Sequence, residues 1–141
     1  MKNIQLILIA IIALLTGSIN TSFAQSQTPT VPLENYKASM PGWEVDLEKA
    51  YALSQQTGKP ILANFTGTDW CGWCIRLKGE VFTKPQFKEW ANKNVILLEI
   101  DFPRRFRLPE KIAQQNRELQ QAFGVRGYPT LWVFNLSLIH I

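Results

Sequence analysis

The chain has 141 residues, enough for one domain and not for two. It is 46% hydrophobic and 18% charged, which supplies a core and excludes disorder over the whole length. The formal charge of +4 is too small and too scattered to mark a nucleic-acid binder.

Residues 1–24 have the make-up of an export signal. Lys2 gives a positive start, Ile4 to Leu15 is apolar apart from Gln5, and Ser22-Phe23-Ala24 offers small residues at the two positions a signal peptidase reads. Cleavage is expected after Ala24. The apolar run is shorter than the ~20 residues that span a bilayer, which disfavours the alternative of an uncleaved anchor. No cysteine follows it to carry a lipid. Residues 25–42, with Pro29, Pro32 and Pro41 among Gln, Ser and Thr, read as a flexible leader that becomes ordered near Trp43.

From Glu44 to Gln56 apolar residues recur at helical spacing, and Gly58 is a plausible stop. Ile61 to Phe65 reads as a buried strand, followed by a turn at Gly67, Thr68 and Asp69. Directly after Cys71 a helix is expected from Gly72 to Val81, interrupted by Pro85, with a second over residues 86–93. Val95 to Phe102 is the strongest strand, and its apolar run implies a sheet covered on both faces. Arg104, Arg105 and Arg107 form the one dense basic patch, read as a solvated loop or as a contact for an acidic partner. Pro109 suits a first helical turn, with helix from Glu110 to Phe123 and a stop at Gly124. Thr130 to Phe134 is the last strand. Alternation of this kind predicts an α/β fold with parallel pairing in the middle.

The chemistry centres on Cys71 and Cys74, the two cysteines of the chain. A disulfide across two residues closes too small a loop to staple a fold. If the helix begins at Cys71, its sulfur meets free backbone N–H groups and the positive end of the helix dipole, which favour thiolate. Cys74 lies one turn on, within reach of a disulfide, and is expected to be more buried and less ionised. Cys71 is then the nucleophile and Cys74 the resolving thiol. Arg76 and Lys78 add modest positive potential. A zinc site lacks ligands, since His140 is the only histidine. Haem attachment lacks a histidine after Cys74, where Ile75 stands. An inert structural disulfide remains the bland alternative.

Lys59-Pro60-Ile61-Leu62, Asp69-Trp70-Cys71-Gly72-Trp73-Cys74, Ile100-Asp101 and Gly124-Val125-Arg126-Gly127-Tyr128-Pro129-Thr130 together resemble the thioredoxin superfamily, in particular small exported bacterial members. The resemblance spans Trp43 to Phe134. It implies a three-layer α/β/α sandwich with a mixed central sheet and a cis bond before Pro129, opposite the cysteines. It also implies substrate contacts from Trp70, Gly72, Trp73, Tyr128 and Pro129, with the backbone of Tyr128 pairing with an extended substrate segment. The implied activity is thiol–disulfide exchange on exported proteins, by a monomer recharged by a redox partner protein, without cofactor, metal or nucleic acid. A peptide-binding module with a non-cycling disulfide is the alternative. Two departures stand out. Asn64 occupies the position where many thioredoxins carry a buried acid that moves a proton for the resolving cysteine. Gly72-Trp73 between the cysteines matches neither the family's strong oxidants nor its cytosolic reductants, which leaves the direction of electron flow open.

The family's fold continues past the strand at 130–134 with a hairpin strand and a last helix. Residues 135–141 are too few to supply both. A longer natural protein is expected, with these residues as a non-native tail, no role for His140, and poor solubility of the chain as written.

Overall fold

In the computed structural model, which describes residues 28–135, three strands form the central sheet in the order β2-β1-β3. Strand β1 spans Ile61–Thr66, β2 Ile96–Asp101 and β3 Thr130–Phe134. β1 runs parallel to β2, with Ile61 opposite Ile96, and antiparallel to β3, with Ile61 opposite Phe134. The sheet is therefore mixed, as expected.

Strand alternation sends successive side chains to opposite faces. Ile61, Ala63 and Phe65 of β1 join Leu98 and Ile100 of β2 in one buried cluster. Ala50 of helix α1 (Leu47–Thr57) and Leu119 of helix α4 (Glu110–Ala122) cover it. Leu62 points the other way, with Met40, Trp43, Phe82, Ala91 and Val95. Ala91 belongs to helix α3 (Pro85–Asn94). Helices thus lie on both sides of the sheet. Burying a side chain such as Phe65 contributes about 1.5–3 kcal/mol.

The helix after Cys71 differs from expectation. It is α-helical only over Gly72–Leu77, here α2, and continues as a π-helical turn over Lys78–Phe82. The wider turn ends with Phe82 buried, its ring 5.0 Å from those of both Trp43 and Phe87. Tertiary packing of one aromatic overrides the simple helical period here.

Of residues 25–42, expected to be a flexible leader, the described part from Pro29 onward lies against the domain well before Trp43. Val31 N–H donates to Arg107 O at 3.0 Å, and Arg107 N–H donates to Pro29 O at 2.8 Å. Ser39 binds Glu99, and Met40 is buried. The expectations placed on residues 1–24 and on the tail beyond Asn135, His140 included, lie outside the described residues. Among the described residues no helix is long and apolar enough to cross a membrane.

Helix α1 starts at Asp46, whose carboxylate accepts the Glu48 N–H at 2.9 Å and meets Lys111 Nζ at 3.1 Å. It stops at Gly58, whose φ of 71° suits glycine. Burial pushes the Asp46 carboxyl up. The Lys111 ammonium and the Glu48 and Lys49 amides outweigh that and hold it below the ordinary 3.8. We predict that Asp46→Ala lowers stability by about 1 kcal/mol at neutral pH, read by urea denaturation. The carboxylate's contribution is full above the ordinary value of 3.8 and is lost as pH falls through the lower folded one, so parent and variant converge in acid.

Candidate active site

β1 ends at Thr66, and the next few residues turn the chain into α2. Cys71 N–H donates to Gly67 O at 2.9 Å, which closes this turn. Cys71 is not the first helical residue but the cap, with extended φ and ψ of −83° and 102°. Its Sγ accepts the Cys74 N–H at 3.2 Å. A sulfur thus occupies the position that a Ser or Asp oxygen takes at most helix starts. Cys71 and Cys74 are joined in a disulfide. Their exposures, 6% and 5%, are nearly equal, so the asymmetry expected from burial is absent in this oxidised pair. It resides in position instead: one sulfur receives a backbone amide at the helix start.

Trp70 is held from several sides. Its Nε1–H donates to Phe102 O at 2.7 Å, the Arg104 guanidinium lies 3.7 Å from the ring centroid, and Tyr128 meets it edge-on at 5.9 Å. Asp69 fixes this arrangement by accepting the backbone N–H groups of Arg104 and Arg105, at 3.1 and 2.7 Å. Arg104, Arg105 and Arg107 are exposed, as expected of a solvated loop, and Asp69 and Trp70 tie that loop to the turn before Cys71. Trp73 is different: it is 68% exposed. Arg76 sits 5.7 Å from the Trp73 ring centroid and pairs with Glu80, while Lys78 Nζ donates to Ser39 O at 2.9 Å. Both cations have local partners, which reduces what they offer Cys71.

The bond between Tyr128 and Pro129 is cis. Tyr128 stacks on Phe102 at 5.1 Å, and its Oη accepts from Gln120 Nε2 at 2.7 Å. Pro129 lines a groove of about 510 Å³ with Trp73, Arg76, Leu77 and Glu80. Of the residues expected at the site, Trp73 and Pro129 thus line one groove, and Trp70 meets Tyr128. Gly72 has no heavy atom within 4 Å of where a Cβ would stand, which leaves open space beside the disulfide.

Asn64 was expected at the place of a buried acid, but sequence reasoning missed the rest of the polar floor around it. Asn64, Thr66, Glu99 and Asp101 are all buried. They share the face that Leu62 begins, with Asn64 opposite Glu99 and Thr66 opposite Asp101. Glu99 accepts from Ser39 N–H at 2.7 Å and from Ser39 Oγ, and Asp101 accepts from Thr68 N–H at 2.9 Å and Thr68 Oγ at 2.7 Å. Burial pushes the Glu99 carboxyl above its ordinary range; the Ser39 donors and Lys78 oppose the push, and the Asp101 charge adds to it. Asp101 is likewise raised by burial against the pull of the Thr68 donors. The signal was present as two acids at alternate positions in an apolar strand. Among the described residues no group of three or more His, Cys, Asp or Glu side chains is placed to hold a metal ion.

A model of a thioredoxin-like family matches residues 42–135. The disulfide bond reductase DsbH of Chlamydia pneumoniae is 39% identical over 89 residues, which cover 63% of this chain and 53% of that protein. The thioredoxin-related protein DsbJ of the same organism is 28% identical over 98 residues, covering 70% of this chain and 28% of that one. The chain thus spans about half the length of the first relative and about a quarter of the second. A solved DsbH oxidoreductase superposes with a TM-score of 0.64 at 33% identity, over 73% of this chain and 75% of that one.

The geometry yields a prediction at Gly67. A Cβ there would stand 2.5 Å from Trp70 Cε2 and Nε1, too close for any rearrangement short of moving the indole. Gly67→Ala is expected to cost about 1–3 kcal/mol in urea denaturation. Indole fluorescence should change with it as the Trp70 bond to Phe102 O is lost. A variant with parent stability and spectrum would contradict this packing.

Proposed function

The chain belongs to the thioredoxin-like family, and from that premise we propose that it is a thiol–disulfide oxidoreductase acting on disulfides of exported proteins through Cys71 and Cys74. The observation that carries the reading is a disulfide at a helix start, with the Cys74 amide on the Cys71 sulfur. In the reduced protein this amide and the positive helix end favour thiolate at Cys71. That thiolate attacks a substrate disulfide, forms a mixed disulfide and releases one substrate thiolate. Cys74 then attacks the Cys71 sulfur, releases the second substrate thiolate and leaves the pair oxidised. A redox partner protein returns two electrons and two protons to the pair. The reductive direction is supported by the name of the Chlamydia relative, a disulfide bond reductase.

Substrate contacts are assigned to Trp70, Gly72, Trp73, Tyr128 and Pro129. The exposed Trp73 beside the Pro129 groove and the open space over Gly72 support this. Trp70 has the narrower part, since Arg104 and Tyr128 already occupy much of its surface. The pattern of residues 1–24 supports export to a periplasm. The working unit is one domain that includes residues 43–134 and the packed segment before it, acting as a monomer.

The same exposed groove favours a second reading, a peptide-binding module with a disulfide that does not cycle. A reduction potential below about −300 mV would support that rival, because such bonds resist physiological reductants. For the leading reading, we expect the protein to catalyse reduction of insulin disulfides by dithiothreitol and Cys71→Ser to abolish this. Cys74→Ser should accumulate a mixed disulfide with substrate on a non-reducing gel. Full activity in Cys71→Ser would overturn the proposal.

A further inference from the structure

Cys74 must lose a proton before it can resolve a mixed disulfide, yet it is 5% exposed. Its proton needs an acceptor inside the protein. Behind Cys74 lies a cavity of about 10 Å³, lined by Asn64, Thr66, Thr68, Glu99, Ser39, Met40, Ile75 and Lys78. Asn64 is buried there, and its Oδ1 has no hydrogen-bond partner among the described residues. A polar cavity of this size has room for one water molecule, and a buried amide oxygen without a donor is the kind of group such waters satisfy.

Of the groups lining the cavity, only one is a carboxylate. Lys78, from the π-helical turn, is already a cation and donates to Ser39 O, and the threonine and serine hydroxyls are poor bases. Asp101 lies outside this lining. Glu99, 2% exposed and opposite Asn64 in the parallel register, remains. We propose that Glu99 is the proton acceptor for Cys74, reached through a water held at Asn64 Oδ1. The inference rests on the thiol–disulfide reading and adds to it the group that drives the resolving step.

The step balances. Glu99 carboxylate takes the Cys74 proton through the water. The Cys74 sulfur forms its bond to Cys71 as the Cys71–substrate bond breaks, and the electron pair leaves on the substrate sulfur. The substrate is reduced and the cysteine pair oxidised. Glu99 then passes its proton outward to the departing thiolate or to solvent. Run backwards, Glu99 returns the proton to Cys74. The groups facing Glu99 set its poise. Lys78 and the Ser39 donors favour its charge, and burial and Asp101 oppose it. Tyr36, from the segment before the domain, also senses Glu99: its hydroxyl is pushed up by burial and then by the charges of Asp101 and Glu99. A carboxyl raised in this way is a better match for a thiol proton than an ordinary one.

The test uses the reduced full chain and the chromogenic disulfide dithiobis(nitrobenzoate), followed by stopped-flow absorbance. Attack by Cys71 releases one coloured thiolate, and resolution by Cys74 releases the second. In Glu99→Gln the first phase should stay within about twofold, and the second should slow about a hundredfold or more, in line with loss of a proton acceptor. Asn64→Asp added to Glu99→Gln should restore much of the second phase by placing a carboxylate on the same cavity. An independent readout comes from the parent: its second phase should rise with pH through a carboxyl step above the ordinary glutamate value of 4.5. This readout stands even where a variant fails to fold. Equal second phases in parent and Glu99→Gln, or a parent profile showing thiol titration alone, would overturn the inference and leave the redox reading intact. Absence of any first phase in the parent would instead sink the redox reading itself.

Discussion

The contact between the Cys74 amide and the Cys71 sulfur is what the rest of the site is arranged around. It exists because Cys71 caps α2, and Cys71 caps α2 because the chain turns sharply after β1. Gly67 permits that turn by letting the Trp70 indole lie against the backbone. Asp69 ties the turn to the loop after β2 through two backbone amides. Strand pairing supplies the rigid base, since β1 is the central strand and is held on both edges. A helix start placed on such a base holds its sulfur in one position, which a loop alone would not do.

The fold accepts a cost beneath this site. One half of the sheet face under the cysteines is apolar, and the other half carries Asn64, Thr66, Glu99 and Asp101. Unpaired polar groups at such depth cost about 1–3 kcal/mol each, so most of these are satisfied, and the satisfying groups come from far away in sequence. Ser39 reaches Glu99 across 60 positions, and Thr68 reaches Asp101 across 33. The segment before the domain is therefore structural: it covers the polar floor. Asn64 Oδ1 and the Tyr36 hydroxyl stand apart as buried groups without partners among the described residues, and both adjoin the carboxylates.

Local pattern made the framework legible. The strands at 61–66 and 96–101 follow from apolar runs, α1 and α4 from spacing and from Gly58 and Pro109, and the cysteine pair from its place between strand and helix. What escaped was long-range. Nothing near residues 29–42 says that they will find Arg107 and Glu99. The π-helical turn answers to the burial of Phe82, which is decided by Trp43 and Phe87. The acids of β2 were visible as Leu98-Glu99-Ile100-Asp101. Reading the sheet as covered on both faces holds for β1 and most of β2 but not for β3, where Leu131, Trp132 and Val133 are exposed, and it was silent about what the second face was for.

The helix start makes the two sulfurs chemically unequal. The most direct test is the pH dependence of iodoacetamide alkylation of the fully reduced protein, with modified cysteines located by peptide mass spectrometry. The account predicts that Cys71 is alkylated first and that its rate titrates well below the ~8.5 of a free thiol. Cys74 should stay protected until much later. Equal labelling of the two, or a Cys71 rate that titrates like a free thiol, would contradict it.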